Sequence, residues 1–356
     1  MPPLVRRDVK NLVRKLGGSA RLIQQMYALD TITKLCWTVD GDCLIAIAAA
    51  GAIPALVHQL RSGSGVEVQH NAASALGKLA EKAENVAAIA AAGAIPPLVQ
   101  LLGDGSAAGV RELAASALGK LAANADNSVA IASAGALPVL VQLLGLGSTA
   151  GVQVQRRAVA ALVSLAQNAD NQVIIVAAGA IPHLAQLMDA GSPAGVQDAA
   201  VLVLSFLAHI TDNQVPIAAA GAIPHVVQLL GAGSAAHVQR IVAGALLLLA
   251  QSADNQGTIA AGGAIPPLVL LLGPGSTVDV QYSAAAALMG IAQNLSNAVA
   301  IAAAGAIPPV VQLQLKQPGS TGSVGDKYLQ KVAASVLHAL GNANADIRAA
   351  IDVARG

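Results

Sequence analysis

The sequence has few aromatic residues, few charged residues and almost no cysteine. Of its 356 residues, 1% are aromatic and 11% are charged, while 55% are hydrophobic. This composition poorly suits a β-sandwich with an aromatic core, and it favours helices that pack through small side chains. The net charge of +1 argues against a general attraction to nucleic acid or to an anionic membrane surface.

The two cysteines, Cys36 and Cys43, are too few for a disulfide framework. This scarcity predicts a reducing compartment, the cytoplasm or the nucleus. The amino-terminal stretch lacks the apolar segment of a secretory signal. Glycine and proline interrupt the alanine-rich runs, as at residues 86–102, so we expect buried helices and no membrane span.

One motif recurs along almost the whole chain. Gly-Ala-Ile/Leu-Pro begins at Gly51, Gly93, Gly135, Gly179, Gly221, Gly263 and Gly305, with successive differences of 42, 42, 44, 42, 42 and 42. A decayed copy precedes the first of these. The period predicts about eight units: a degenerate capping repeat at 1–50, six regular repeats at 51–304, and a last repeat with a loop insertion (residues 316–330) and a cap at 305–356.

Each unit reads as three helices. In one copy, Asn85 would cap a first helix over 86–92, which Gly93 would end in the left-handed conformation. The proline pair beginning at Pro96 would start a second helix, where a missing N–H has no cost. A third, longer helix is predicted over about 110–124. One unit cannot bury its apolar face alone, so neighbouring units must stack.

Three helices in about forty-two residues, joined by Gly-Ala-Ile-Pro-x-Leu-Val-x-Leu-Leu, resemble the armadillo repeat family. The resemblance covers roughly residues 9–356, and its motif is nearer to vacuolar-protein-8-like and plant U-box-associated arrays than to importin-α. It implies an all-α, right-handed superhelical solenoid whose third helices line a concave groove. In the family, that groove usually holds an extended segment of a partner protein.

The resemblance also implies which residues would face the groove. Importin-α-like members carry a Trp and an Asn, four residues apart, on each third helix, and neither ladder is present here. The single tryptophan, Trp37, falls outside the pattern, which argues against recognition of basic nuclear-localisation signals. The groove positions that remain are Lys34, Ser74, Lys78, Ser116, Lys120, Ser164, Phe206 and Leu248.

Lys34, Lys78 and Lys120 would form a row in the first three units, about 10 Å apart. Because an extended peptide rises about 3.3 Å per residue, the row would meet an acidic or phosphorylated side chain at every third position. Lysine has donors and no acceptor, so it suits anions. The same pattern also fits a row of solvated lysines on an exposed helix face, which is the more common meaning of such a pattern.

The other groove positions carry two interpretations each. Phe206 and Leu248 would offer an apolar anchor if they are exposed, and they would be core residues if they turn inward. Asn124 and Asn168 could bond a partner backbone, although the turn before each first helix also favours asparagine. For both pairs the structural interpretation comes first.

No residue pattern in the sequence indicates catalysis. The glycine-rich stretch 103–109 has the wrong spacing for a dinucleotide loop and follows a helix, so we expect a turn. His183 and His225 lack a third metal ligand, and neither a cofactor nor a metal is expected. We therefore predict a non-catalytic, monomeric protein-interaction scaffold. The alternatives are a nuclear-transport cargo adaptor and a self-associating structural array.

Overall fold

The computed structural model describes residues 3–17, 22–61, 64–145, 151–189, 191–231, 233–315 and 324–356. All regular secondary structure in these ranges is helical, and the helices number 24. The predicted all-α class and the three-helix repeat are therefore confirmed. A first repeat of two helices is the exception to the three-helix pattern.

The chain divides into two compact units, residues 1–183 (unit 1) and residues 184–356 (unit 2). In unit 1 the last and longest helix of each repeat is α2, α5, α8 or α11, and we call these the third helices, although the first repeat has only two. The helices of unit 1 are α1 (Pro3–Gly17), α2 (Leu22–Thr38), α3 (Gly41–Ala49), α4 (Ala52–Gln59), α5 (Val66–Leu79), α6 (Ala83–Ala91), α7 (Ile95–Gln100), α8 (Ala108–Leu121), α9 (Ala125–Ser133), α10 (Ala136–Gln142), α11 (Val152–Leu165) and α12 (Ala169–Ala177).

Helix α13 (Ala180–Leu187) crosses the boundary between the units. In unit 2 the third helices are α14, α17, α20 and α23. The remaining helices are α14 (Ala194–Leu207), α15 (Thr211–Ala219), α16 (Ala222–Gln228), α17 (Ala236–Leu249), α18 (Ala253–Ala261), α19 (Ile265–Leu271), α20 (Val278–Ile291), α21 (Leu295–Ala303), α22 (Ile307–Leu315), α23 (Val324–Gly341) and α24 (Ala345–Arg355).

The junction between first and second helices is the one that the repeated motif predicts. Gly93 follows α6 with φ +80°, a conformation that a residue with a Cβ rarely adopts. Helix α7 then begins with proline at its first positions. The glycines that open the other six copies of the motif also have positive φ. The chain therefore turns between the first and second helices with the same backbone conformation in seven successive repeats.

The prediction that Asn85 caps a first helix is wrong. Helix α6 begins at Ala83, and Asn85 is buried inside its first turn. The Asn85 amide donates to the carbonyl oxygen of Leu79 at 3.0 Å and to that of Leu44, in the preceding repeat, at 3.5 Å. A buried amide must find hydrogen-bond acceptors, and Asn85 finds them in two repeats. Its side chain therefore bridges the repeats and does not cap the helix.

The same buried amide recurs once per repeat, in a set that we call the asparagine column. Its members are Asn85, Asn127, Asn171, Asn213, Asn255 and Asn297. Each donates to the carbonyl oxygen six residues earlier, at the end of the preceding third helix. Most also bond the first helix of the preceding repeat, as Asn255 does to the carbonyl of Gln214 at 2.9 Å. Where both bonds are present, the amide joins three helices and two repeats.

Small side chains let the third helices approach closely. A Cβ added to Gly119 in α8 would lie 3.0 Å from the Cα of Ala161 in α11. A Cβ at Gly77 in α5 would lie 3.7 Å from that of Ala117 in α8. At both glycines, therefore, the neighbouring third helix leaves little or no space for a larger side chain. The alanine and glycine content of the sequence therefore serves helix packing.

The carboxy-terminal repeat differs in part from the prediction of a loop over 316–330. Residues 316–323 lie outside the described residues, and from Val324 onward the chain is helical. The helix starts this early because Leu329 and Ala333 are buried at helical spacing with the rest of α23. Helix α24 follows as predicted, capped by Asn344, which accepts from the N–H of Ile347 at 2.8 Å. The division at residues 50 and 304 stays a prediction.

No helix in the described ranges is by itself long and apolar enough to cross a bilayer. Two consecutive pairs, α3 with α4 and α21 with α22, have that length and composition together. They are bent by 80° and 87°.

The asparagine column leads to a stability prediction. Replacing Asn255 by Ala leaves the carbonyls of Gln214 and Leu249 without their buried donor. We expect Asn255→Ala to lower the free energy of unfolding by about 1–3 kcal/mol in urea denaturation. Ser252→Ala is the matched control, because Ser252 precedes the same helix without a capping bond. Equal effects for the two variants would contradict a bridging role.

Candidate protein-binding site

The third helices of unit 1 pack side by side in chain order. Helix α2 contacts α5, α5 contacts α8, and α8 contacts α11. Their solvent-facing side chains form one surface, which we call the third-helix face of unit 1. Its central cluster consists of Trp37, Ser74, Lys78, Glu81 and Lys120, contributed by three successive repeats.

A carboxylate bridges two of the three lysines that the sequence places in a row. The Glu81 Oε2 atom lies 2.6 Å from Lys78 Nζ, and its Oε1 atom lies 2.9 Å from Lys120 Nζ. Lys120 Nζ also donates to the carbonyl oxygen of Gly77 at 2.8 Å. The two ammonium groups are therefore held by specific partners and are not free in solvent.

Lys34, the third member of the row, behaves differently. Its Nζ lies 2.8 Å from Asp30 Oδ2 within the same helix, and its side chain is 72% exposed. The side chains of Lys78 and Lys120 are 20% and 32% exposed. The solvated interpretation thus fits Lys34, whereas Lys78 and Lys120 are packed into the cluster.

Trp37 belongs to this face, although the sequence pattern excluded it. Its indole Nε1–H donates to Ser74 Oγ at 2.9 Å, and Lys78 Nζ lies 5.0 Å from the centre of its ring. Trp37 remains 56% exposed. The ammonium is within the distance at which it is attracted to the electron-rich ring face. One face of the tryptophan is therefore occupied by a lysine of the same chain.

Sequence reasoning missed Trp37 and Glu81, and helical spacing could have found both. Trp37 lies three residues after Lys34, and Glu81 lies three residues after Lys78. Residues three apart lie on the same face of a helix, and Glu81 lies two residues beyond the end of α5.

The predicted serines contribute little exposed surface. Ser74 is 7% exposed and its hydroxyl oxygen accepts from Trp37, so the structure gives it a supporting role beneath the indole. Ser116 and Ser164 are half-buried on α8 and α11. The charge of the central cluster therefore comes from Lys78, Lys120 and Glu81.

Asn124 and Asn168 cap helices. The Asn124 side-chain oxygen accepts from the N–H of Asn127 at 3.0 Å, and that of Asn168 accepts from the N–H of Asn171 at 3.1 Å. Both residues stand at the N-cap of a first helix. The structural interpretation thus holds for both side-chain oxygens.

Unit 2 has a third-helix face of its own, formed by α14, α17, α20 and α23, which pack in succession. Phe206 and Leu248 on this face are half-buried, so they are neither sealed core residues nor fully exposed. A cleft of about 520 Å³ lies between α20 and α23 and is lined by Met289, Gln293, Ala334, Ser335, His338, Ala339 and Asn342. An apolar anchor at Phe206 and Leu248 stays a prediction.

The ionisation states near the cluster follow from its contacts. Partial burial acts to raise the pKa of Glu81, but hydrogen bonds from Lys78 and Lys120 outweigh it and hold that pKa below its usual value. Glu81 is therefore an anion at neutral pH. Burial raises the pKa of the Cys36 thiol to about 12, which leaves it protonated and a poor nucleophile.

Within the described ranges, no three His, Cys, Asp or Glu side chains are grouped so that they could hold a metal ion. In the glycine-rich stretch 103–109, residues 103–107 form the turn that the sequence predicted between α7 and α8, and the last two residues begin α8.

Comparison with known families identifies two repeat types in unit 1. The Armadillo/beta-catenin-like repeat matches residues 42–81, and the HEAT-like repeat matches residues 66–121. No curated protein sequence matches the chain.

Solved structures give a broader match. A crystal structure of an engineered protein from the Northeast Structural Genomics Consortium is 30% identical, with a TM-score of 0.83 over 98% of this chain and 82% of that one. Two further engineered proteins from the same consortium are 29% and 28% identical, with TM-scores of 0.61 and 0.59. Each covers 70% of this chain, over 97% and 98% of its own length.

The capping geometry predicts how Asn168 responds to substitution. We expect Asn168→Ala to lower the free energy of unfolding by about 1 kcal/mol, because the N–H of Asn171 loses its acceptor. Asn168→Asp keeps an acceptor oxygen and should stay within about 0.5 kcal/mol of the parent. Urea denaturation measures both, with the exposed neighbour Gln167→Ala as the control. A neutral alanine variant would show that the cap is dispensable.

Proposed function

We propose that the chain, whose residues 42–121 match the armadillo and HEAT-like repeats, is a non-catalytic scaffold that binds an extended segment of a protein partner. Stacked repeats expose long continuous surfaces, and such surfaces suit extended ligands. The third-helix face of unit 1 is the proposed docking surface. The bound segment is acidic or phosphorylated.

The observation that supports this choice is the packed cluster of Trp37, Lys78, Glu81 and Lys120. Two lysines and one glutamate leave a net charge of +1 on a surface made by three repeats. The partial burial of Lys78 and Lys120 lowers the entropy that a ligand must remove from them. An exposed tryptophan beside fixed charges is typical of binding hot spots.

The spacing of the repeats suits an extended backbone. Neighbouring third helices about 8–10 Å apart present equivalent positions to every third residue of a strand that rises about 3.3 Å per residue. An acidic side chain at every third position would meet Lys34 first and then the pair Lys78 and Lys120, whose ammonium groups converge on one carboxylate. Lysine cannot accept a hydrogen bond, so the contacts favour anions over backbone N–H groups.

The same geometry disfavours a cargo adaptor for basic signals. In importin-α-like grooves the tryptophans receive basic side chains of the ligand, whereas here Lys78 already lies over Trp37. A basic peptide would have to displace that lysine and would meet Lys120 beside it. Within this proposal the scaffold works in the cytosol or nucleus, where its free thiols Cys36 and Cys43 stay reduced.

The proposal is tested by titrating a fluorescent peptide of about fifteen residues, built from Gly and Ser with Glu at every third position. Reversing both cluster lysines, Lys78→Glu with Lys120→Glu, should weaken binding about tenfold or more at low salt, because two attractions become repulsions. The control variant is Lys10→Glu with Arg61→Glu, which makes the same charge change at exposed positions on α1 and after α4.

A salt titration and the control variant complete the test. Binding should weaken as salt is raised, since exposed charges are screened within about 3 Å at 1 M ionic strength. Equal loss in the cluster variant and the control variant would mean that the peptide responds to net charge alone. The proposed docking surface would then be wrong.

A further inference from the structure

We propose that Glu81 is a built-in competitor of the partner: its carboxylate occupies the place of the partner's anionic group, and binding requires its displacement from Lys78 and Lys120. The inference rests on the function proposed above. It adds a residue that sets which anionic segments bind, and how tightly.

The contacts of Glu81 are those expected of a bound anionic ligand. Its two carboxylate oxygens are divided between two ammonium groups, with Oε2 on Lys78 at 2.6 Å and Oε1 on Lys120 at 2.9 Å. These lysines come from different repeats. A carboxylate or phosphate from a segment crossing the third helices would meet the same pair.

The two lysines keep other contacts when Glu81 is removed. Lys120 Nζ donates to the carbonyl oxygen of Gly77 at 2.8 Å, and Lys78 Nζ lies over the indole of Trp37 at 5.0 Å. The hydrogen bond to Ser74 fixes the indole in turn. The anion-binding pair is therefore preformed, so a ligand that replaces Glu81 has little rearrangement to drive.

Glu81 itself is placed so that it can leave. It follows Ala80, the C-cap of α5, and its side chain is 38% exposed. Its carboxylate contacts only Lys78 and Lys120 among the described residues. A rotation of this side chain would release the carboxylate into solvent without disturbing α5.

Charge then decides which ligands can compete. A carboxylate from the partner exchanges one monoanion for another and leaves the cluster at +1. A phosphoryl group carries about two negative charges and three acceptor oxygens, so it neutralises both lysines. Glu81 lowers the affinity of every anionic segment that must displace it. A phosphorylated segment competes with Glu81 most effectively.

A purely structural role for Glu81 predicts a different outcome. If the bridge only held α5 against α8, its loss would slightly destabilise the protein and would leave peptide affinity unchanged or lower. Partly exposed ion pairs contribute little stability. Affinity therefore separates the two roles better than stability does.

The experiment compares three fluorescent peptides of the design described above, with Ser, Glu or phosphoserine at every third position. Each is titrated against the full chain and against Glu81→Gln, which keeps the side-chain shape and removes the charge. Glu112→Gln is the matched control. Glu112 pairs with Arg157 across α8 and α11 at 3.4 Å, so this variant makes the same charge change at another bridge between third helices.

We expect Glu81→Gln to raise the affinity for the Glu and phosphoserine peptides by about threefold to tenfold at low salt. The affinity for the Ser peptide should not change. The phosphoserine peptide should bind more tightly than the Glu peptide to both proteins. Glu112→Gln should change each affinity by less than about twofold. High salt should remove the difference between the parent and Glu81→Gln.

Three outcomes overturn the inference. Affinity that is unchanged or lower in Glu81→Gln, while the Lys78/Lys120 reversal still weakens binding about tenfold or more, rejects the competitor role and leaves the proposed function intact. An equal gain in peptide affinity in Glu81→Gln and Glu112→Gln would mean that the effect depends on net charge and not on the position of Glu81. If no peptide binds either protein, the proposed function fails as well. Glu81→Ala repeats the test should Glu81→Gln misfold, as judged by circular dichroism.

Discussion

The buried asparagine column is the interaction on which the rest of the structure depends. At each step one amide joins the end of a third helix, the start of the next first helix and, in most repeats, the first helix of the repeat before. Hydrophobic contacts among alanine, leucine and valine are not directional and would tolerate sliding between repeats. A buried amide left without its acceptors is costly, so the column fixes the register of stacking within each unit.

That fixed register determines what the third helices present to solvent. Close contacts at Gly77 and Gly119 bring α5, α8 and α11 together, and they leave no room for large side chains between the helices. Larger side chains on these helices therefore lie either in the core, as Leu76 and Leu118 do, or on the solvent side. Trp37, Lys78 and Lys120 thus come from three repeats, yet they lie within reach of one another and of a single carboxylate.

The cluster shows how a repetitive scaffold acquires a distinct site. In the repeats of unit 1, the inner positions vary little, whereas the outer positions of the third helices differ from one repeat to the next. Glu81 occurs where the following repeat has Ala123, and Lys120 where its neighbour has Ser164. Small changes on a constant framework therefore place opposite charges side by side. Recognition is then a matter of which internal contacts a partner can replace.

The sequence by itself determined the repeat period, the helix order and the left-handed glycine at Gly93. It also determined that Lys78 and Lys120 occupy equivalent positions in successive repeats. These features depend on local backbone preferences and on helical spacing, both of which are written in nearby residues. Only the tertiary structure decided that Asn85 bridges repeats instead of capping a helix, that Trp37 packs on Lys78, and that Glu81 joins two lysines. Those contacts connect residues about forty positions apart, and the distance between them depends on how closely the repeats stack.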